Sequence, residues 1–251
     1  MLKAATVAYL NSLPFSLGLS QLKQSHQIDW LEAIPADCAK WLLNKQVDLA
    51  LLPVGALADF DRLYLASKYC IGSIGPVKTV KLCSHYEFEE TKRIVFSKAS
   101  RTSNLLVQRL ADEYWHLKNI EWSYEKDLKS DLPTAFVIIG DEAFEAEHHF
   151  SFSVDLGQAW HDWMGLPFVF AIWVSLNPLE HSFQAELNNA FQEGIDQVMN
   201  MQKFHHERIS DEILQHYFHH NISYLLDDKK LKAIDLFLSK CQLRNPLNAR
   251  D

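Results

Sequence analysis

The 251-residue sequence predicts an α/β protein of two lobes with a helical C-terminal tail. Three observations support this prediction. Apolar segments of strand length alternate with amphipathic segments of helix length, which is typical of mostly parallel sheets. The alternation forms two series, separated by extended segments at 77–83 and 168–175. After residue 175, apolar residues recur with the 3.6-residue period of helices.

The first series contains three predicted strands, at 5–9, 28–33 and 48–52. Pro14 fits the first turn of the helix after the first strand, where an amide has no partner within the helix. A second helix is predicted at 36–44, with Asp37 in the first turn, where a carboxylate faces the positive end of the helix dipole. Pro53 then begins a short helix that extends to Asp59.

The second series contains strands predicted at 93–97, 120–124 and 135–139, with helices at 102–116, from 140, and at 158–164. The tail contains predicted helices at 183–198, 211–219 and 226–240, and we expect it to pack on the first lobe. These limits assign residues 1–83 and 174–251 to lobe 1 and residues 84–173 to lobe 2. Ligands in such folds bind outside the carboxyl ends of strands, so we expect a ligand cleft between the lobes.

Composition excludes several classes of protein. Lys and Arg number 24 and Asp and Glu number 32, which gives 24 − 32 = −8 with histidine neutral. This balance argues against a general nucleic-acid binder, because phosphate binding needs a basic surface. A hydrophobic content of 48% excludes a disordered chain.

The apolar runs and the cysteines of the sequence indicate the cellular location of the protein and the redox state of its thiols. No apolar run reaches the about 18–20 residues of a membrane span. The apolar stretch near the N-terminus is interpreted as a strand rather than a signal peptide, so we expect a cytoplasmic protein without a membrane partner. The four cysteines form no CxxC pair and are expected to be free, mostly buried thiols.

Three strand-to-helix turns, at 9–15, 97–104 and 138–141, carry polar residues suited to an anion. Helix N-termini expose unpaired amides, and the hydroxyls of Ser100, Thr102 and Ser103 add donors. The same residue types are common helix caps, so a single turn indicates capping rather than a ligand. Three such turns in one α/β framework favour a small-anion site. Arg101 can pair with a carboxylate, and Asp141 is expected to cap its helix.

Other chemistries lack their patterns in this sequence. It contains no GxGxxG, GxxxxGK[ST] or GxSxG motif, which argues against nucleotide binding of those types and against a nucleophile elbow. His216 with His219 or His220 has the spacing of metal ligands on a helix, but no third acidic ligand falls in register. We therefore expect a solvated histidine-rich face there and no metal site.

Eight segments, taken in order, resemble the menaquinone-biosynthesis chorismate dehydratase family. They are VAYLNSLPF at 7–15, VDLALLPV at 47–54, GSIGPVKTVKL at 72–82, SRTS at 100–103, IIGDEA at 138–143, DLGQAW at 155–160, GLPFVFAIW at 165–173 and ISYL at 222–225. Each segment alone is weak, but the ordered set covers nearly the whole chain. The sequence also departs from the family pattern, with Thr79 in place of a frequent Ser, Cys83 in place of Phe and Met164 in place of Thr.

The resemblance implies a fold like the type II periplasmic binding proteins, with two α/β lobes, a double hinge and a ligand in the cleft. It implies the dehydration of chorismate, the first step of the futalosine route to menaquinone, without a metal or organic cofactor. Asn11 is the expected catalytic residue. The expected substrate-binding residues are Ser12, Thr79, Ser100, Arg101, Thr102, Ser103, Gly140, Asp141 and Phe168.

Three alternatives stay open on the sequence. A sister enzyme of the same pathway and fold, dihydroxynaphthoate synthase, would need a positioned histidine, for which His148 and His149 are the second-lobe candidates. A non-enzymatic small-anion-binding protein of the same fold would be expected to carry an export signal. The third alternative is a member of the dehydratase family with lost or altered activity, because Thr79 and Met164 depart from the family pattern.

Overall fold

The protein was analysed as a computed structural model that describes residues 1–24, 28–125 and 132–247. The strands of this part of the chain are β1 (Leu2–Val7), β2 (Ile28–Ala33), β3 (Leu49–Pro53), β4 (Tyr64–Ser73), β5 (Val80–Ser84), β6 (Arg93–Val95), β7 (Glu121–Ser123), β8 (Thr134–Ile139), β9 (Phe152–Asp155), β10 (Phe168–Ser175) and β11 (Ser223–Leu225). The α-helices are α1 (Leu13–Gln24), α2 (Pro35–Leu43), α3 (Arg101–Arg109), α4 (Ala146–His149), α5 (Leu156–Met164), α6 (His181–Met199), α7 (Asp211–His220) and α8 (Asp228–Lys240).

These strands form two sheets, and each sheet is the centre of one lobe. The first lobe has six strands in the order β11-β4-β10-β3-β1-β2, and the second has five in the order β7-β6-β8-β5-β9. Parallel pairs join β1 to β2 and β3, and join β6 to β7 and β8. The pairs made by β10 and β5 are antiparallel. The predicted two-lobed α/β architecture is confirmed.

The two segments expected to cross between lobes are themselves sheet strands. Val80–Ser84 pairs on both sides within the second sheet, and Phe168–Ser175 pairs on both sides within the first. The predicted boundaries at 83/84 and 173/174 therefore fall inside strands, and the sheets divide the chain a few residues earlier at each crossing. Extended backbone without a partner would leave amides and carbonyls unpaired, which a sheet ladder avoids.

The expectation of a wholly helical tail is wrong at one segment. Ser223–Leu225 is a strand that pairs with β4 at the edge of the first sheet. With only three residues it is too short to show a periodic pattern. The four cysteines are free thiols, as predicted. No helix in the described part of the chain combines the length and apolarity needed to cross a bilayer.

The tail contacts both lobes. In the first lobe, α6 packs against α1 at Gly18 and Gly194, and a Cβ added at Gly18 would lie 2.5 Å from the carbonyl oxygen of Ala190. Toward the second lobe, Lys240 Nζ lies 2.6 Å from Glu113 Oε2, and the Tyr217 ring meets Phe144 edge-on. The tail therefore fixes elements on both sides of the cleft.

Gly194→Ala is expected to destabilise the protein by at least about 2 kcal/mol, because the added methyl group would clash with the backbone carbonyl of Pro14. This loss outweighs the gain of about 1 kcal/mol that Gly→Ala brings in a free helix. Urea denaturation measures the change. Asn189→Ala at an exposed position of the same helix is the control and should leave stability unchanged or slightly higher. Equal stability of Gly194→Ala and wild type would contradict this close packing.

Candidate functional site

A cavity of about 50 Å³ lies between the two sheets. Its polar lining consists of Asn11 from the first lobe, Thr79 beside the first crossing, and Ser100 and Ser103 from the second lobe. The ring of Tyr9 and the backbone of Gly140 complete this part of the wall, and apolar residues supply the remainder. The lining includes no Asp, Glu, His, Lys, Arg or Cys among the residues that the structure describes. The site is therefore built from neutral hydrogen-bonding groups.

Asn11 lies in a 3₁₀ turn, Leu10–Ser12, between β1 and α1. Its backbone carbonyl accepts a hydrogen bond of 2.9 Å from the hydroxyl of Tyr224. Its side-chain oxygen Oδ1 is buried and has no hydrogen-bond partner among the described residues. A buried, unpaired amide oxygen costs about 1–3 kcal/mol, and a hydrogen-bond donor beside it would recover that cost.

Ser100 and Ser103 stand at the N-terminus of α3. Ser100 is the cap residue, and its Oγ accepts from the Ser103 amide at 3.1 Å and lies 2.8 Å from Ser103 Oγ. Asn104 holds the preceding turn, because its side chain bonds both the amide and the carbonyl of Ser97. The hydroxyls, together with the positive end of the helix dipole, suit a carboxylate or another small anion.

Gly140 lies where the second lobe touches the first. Its backbone has φ +72°, a left-handed conformation that favours glycine, and its amide donates to the carbonyl of Thr79 at 2.9 Å. A Cβ at this position would lie 2.7 Å from Cε1 of Tyr9. Glycine therefore allows the Tyr9 ring to rest directly on the backbone of the second lobe.

Five of the ten predicted site residues line this cavity: Asn11, Thr79, Ser100, Ser103 and Gly140. The side chains of Arg101, Thr102 and Asp141 instead make contacts between the lobes. Arg101 bonds Asp59 at 2.6 Å, Thr102 Oγ1 accepts from the Gly55 amide at 3.0 Å, and Asp141 Oδ1 accepts from the Leu10 amide at 3.2 Å.

The remaining two predicted residues, Ser12 and Phe168, are buried in the first lobe. The Ser12 hydroxyl lies against the carbonyl oxygens of Val7 and Tyr9, so it closes the turn that carries Asn11. Phe168 packs edge-on against the rings of Trp160 and Phe170. Their described contacts are structural, and any direct role with a ligand stays a prediction.

Phe170, rather than Phe168, lines the cavity, and the sheet explains the difference. Strict alternation would place both rings on one face of β10. The pairing with β4 shifts at this point, since Val169 pairs with Gly72 and Ala171 with Ile71, so Phe170 is an extra residue. Such a β-bulge redirects a side chain, and the sequence carries no local signal for it.

Two tyrosines at the site were also not predicted: Tyr9 lines the cavity, and the Tyr217 hydroxyl lies 3.3 Å from Oγ1 of Thr79. Tyr9 is two residues before Asn11 in the segment VAYLNSLPF, so its position was available as a signal. Burial, with the nearby carboxylates of Glu142 and Asp141, raises the pKa of Tyr9, which keeps its hydroxyl neutral. Burial also raises the pKa of Asp141, although the Leu10 amide and His206 oppose the change.

Both the sequence and the fold of this chain are similar to those of known proteins. Residues 2–243 match the family model described as menaquinone biosynthesis. A solved structure from Archaeoglobus fulgidus superposes with a TM-score of 0.71, at 12% identity over 96% of each chain. A Candida albicans protein described as exhibiting the generic periplasmic binding protein fold has a TM-score of 0.64, at 12% identity over 100% of this chain and 92% of its own.

An alkanesulfonate-binding protein from Xanthomonas axonopodis pv. citri, solved with bound MOPS, has a TM-score of 0.57. It is 17% identical, over 98% of this chain and 94% of its own. Identities this low establish the fold alone. The expected likeness to periplasmic binding proteins is therefore confirmed.

Proposed function

The chain belongs to the menaquinone-biosynthesis family, and on that premise we propose that it is a chorismate dehydratase. The proposed reaction converts chorismate to 3-[(1-carboxyvinyl)oxy]benzoate and water. The observation that carries the proposal is the neutral, hydrogen-bonding cavity lined by Asn11, whose Oδ1 is buried and has no partner among the described residues. Chorismate carries two carboxylates, a ring hydroxyl and an enolpyruvyl ether, and a site of this kind would hold such groups.

The proposed reaction needs little acid–base catalysis by the protein, because the substrate itself favours the elimination. A ring C–H bond breaks, its electron pair enters the ring, and the C–O bond to the hydroxyl breaks, which leaves an aromatic product. The ring proton is vinylogous to the ring carboxylate, so negative charge can delocalise onto that group. The protein then supplies orientation, donors for the developing charge and exclusion of water.

The proton acceptor follows from the composition of the cavity wall. Among the described residues that line the cavity, Tyr9 alone has a titratable side chain. Its pKa is raised, so its hydroxyl stays protonated and cannot act as the base. We therefore assign the role of base to the side-chain carboxylate of the substrate. The proton that it removes and the departing hydroxide together make the product water, so no group of the protein changes its charge.

The acidic surface is compatible with this dianionic substrate. At a net charge of −8 the overall field opposes approach slightly, and salt screens the field beyond about 8–10 Å. Binding then depends on local dipoles at Ser100, Ser103 and the start of α3 rather than on a basic residue. We expect the affinity for chorismate to vary little with salt.

The lobes must separate for substrate to enter. The cavity of about 50 Å³ is far below the about 300–1,000 Å³ typical of small-molecule sites. Opening would break the contacts Arg101–Asp59, Thr102–Gly55 and Asp141–Leu10, which cross the cleft. These three predicted binding residues thus act on substrate entry through closure of the cleft.

Incubation of purified protein with chorismate, followed by chromatography of the aromatic product, tests the proposal. Formation of 3-[(1-carboxyvinyl)oxy]benzoate by active but not heat-denatured protein is the expected result. The absence of turnover would overturn it, and tight binding of an anion without turnover would identify a binding protein of the same fold. A histidine-dependent synthase is disfavoured, because His148 and His149 lie outside the lining of this cavity.

The pH dependence of kcat provides an independent prediction. The pKa of Tyr9 is raised above its ordinary value of about 10, so this hydroxyl stays protonated as pH rises from 6 to 9. With no imidazole, thiol or carboxyl in the described lining, kcat should change less than about threefold over that range. Initial rates at saturating chorismate measure it. A sigmoid centred near pH 6.5 would indicate a histidine base instead.

A further inference from the structure

Tyr224 of the C-terminal tail reaches the turn that carries Asn11. Its side chain is buried, at 5% exposure, and its hydroxyl donates to the main-chain carbonyl of Asn11 at 2.9 Å. Pro14 has no N–H group, so the 3₁₀ hydrogen bond that would run from residue 14 back to this carbonyl cannot form. A tyrosine 213 positions later in the chain supplies a donor instead.

The ring of Tyr224 is fixed against the helix that follows this turn. It packs edge-on against the ring of Phe15 in α1, with the centroids 5.4 Å apart. The Phe15 ring in turn packs against the rings of Trp173 and Phe191 in the core of the first lobe. The Tyr224 side chain thus contacts both the turn and the helix after it, which limits the freedom of its hydroxyl to leave the Asn11 carbonyl.

The strand that carries Tyr224 is held by a buried lysine. Nζ of Lys230 lies 2.6 Å from the carbonyl oxygens of Ser223 and Leu225, and 2.8 Å from Ser223 Oγ. Lys230 is 0% exposed, and a buried ammonium group needs such partners because it has lost its hydration. These bonds fix both residues that flank Tyr224, in a strand of three residues that also pairs with β4.

The contact between Tyr224 and Asn11 lies within the first lobe. β11 is a strand of the first sheet, and the Asn11 turn follows β1 of the same sheet. Another bond to this turn, from the Leu10 amide to Asp141, crosses the cleft and would break when the lobes separate. Tyr224 would therefore keep the main chain of Asn11 in place while the cleft is open, before the substrate enters.

We propose that Tyr224 is a positioning residue, whose hydroxyl holds the main chain of the Leu10–Ser12 turn so that the Asn11 side chain keeps its place in the cavity wall. This inference rests on the proposed dehydratase function. Tyr224 does not itself line the cavity, so it acts on the reaction through Asn11. Such placement matters for the rate, because a displacement of about 1 Å at a reacting group can cost about 10²-fold.

Tyr224→Phe, which removes only the hydroxyl, tests the inference. We expect kcat for chorismate to fall by about ten- to a hundredfold, with KM within about twofold of wild type, because Ser100 and Ser103 are untouched. Tyr69→Phe is the matched control, since Tyr69 is also buried and donates to Gln192 at 2.6 Å, and neither of these two residues lines the cavity. Each variant loses a tyrosine hydrogen bond, so urea denaturation should show similar losses of stability, whereas only Tyr224→Phe should lose kcat.

A double-mutant cycle with Asn11→Ala separates positioning from general damage. Alanine keeps the main-chain carbonyl, so the Tyr224 hydrogen bond remains while the side chain that it positions is absent. Adding Tyr224→Phe should then lower stability without lowering the residual kcat further, whereas independent effects would multiply.

Three results would overturn the positioning role and leave the dehydratase function intact. They are wild-type kcat in Tyr224→Phe, an equal loss of kcat in Tyr69→Phe, and full multiplication of the two losses in the cycle. Failure of the wild-type protein to turn over chorismate would overturn both proposals.

Discussion

Asn11→Ala is expected to lower kcat for chorismate by about 10²–10³-fold, comparable to the loss of a preorganised polar contact in other enzymes. The same change should leave the free energy of unfolding unchanged or up to about 1 kcal/mol higher. Oδ1 of Asn11 is buried without a partner among the described residues, so its removal relieves a desolvation cost. Steady-state kinetics and urea denaturation of one preparation measure both quantities.

Asn188→Ala is the matched control for Asn11→Ala. Its Oδ1 accepts from the Ser67 hydroxyl at 2.7 Å and from the Lys68 amide at 3.0 Å, and none of these residues lines the cavity. This control should lose stability and keep kcat, the reverse of the Asn11 variant. Near-wild-type turnover by Asn11→Ala would remove Asn11 from the mechanism.

Gly140→Ala is expected to reduce kcat/KM for chorismate by about a hundredfold. The added Cβ would lie 2.7 Å from Cε1 of Tyr9, so the Tyr9 ring must move or the lobes must stay apart. Either response disturbs the cavity that both residues line. The positive φ of +72° adds a conformational cost of about 1–2 kcal/mol.

Gly165→Ala separates the two effects at Gly140. Gly165 also has a positive φ, +64°, but a Cβ there would have no atom within 4 Å. The control variant should therefore share the loss of thermal stability and retain kcat/KM. Equal losses of kcat/KM in both variants would show that backbone strain, and not the contact with Tyr9, accounts for the result.

The alternation of strand and helix segments predicted both lobes, because apolar periodicity is a local property of each element. Pairing of strands is not local, and this explains the errors. Val80–Ser84 and Phe168–Ser175 were recognised as extended, but their partner strands decide which lobe they join. Three strands were not predicted: Tyr64–Ser73, Phe152–Asp155 and Ser223–Leu225. The last two are too short to carry a measurable period.

The candidate site was predictable where a turn both follows a strand and begins a helix. Asn11, Ser100 and Ser103 lie in such turns and line the cavity. Arg101 lies in the same turn but faces the first lobe, where Asp59 neutralises it, and spacing alone does not distinguish these directions. Tyr217 comes from a helix more than a hundred residues later, so only the tertiary fold brings it to Thr79.

The order of strands in the first sheet has a consequence for how the chain acquires its structure. All strands of the second sheet come from the continuous stretch 80–155, so that sheet can form early. In the first sheet Pro53 pairs with Ala171, and Gly72 pairs with Ser223. During synthesis β3 and β4 therefore wait for β10, with strand edges exposed to association. We expect closure of these long-range ladders to limit the refolding rate.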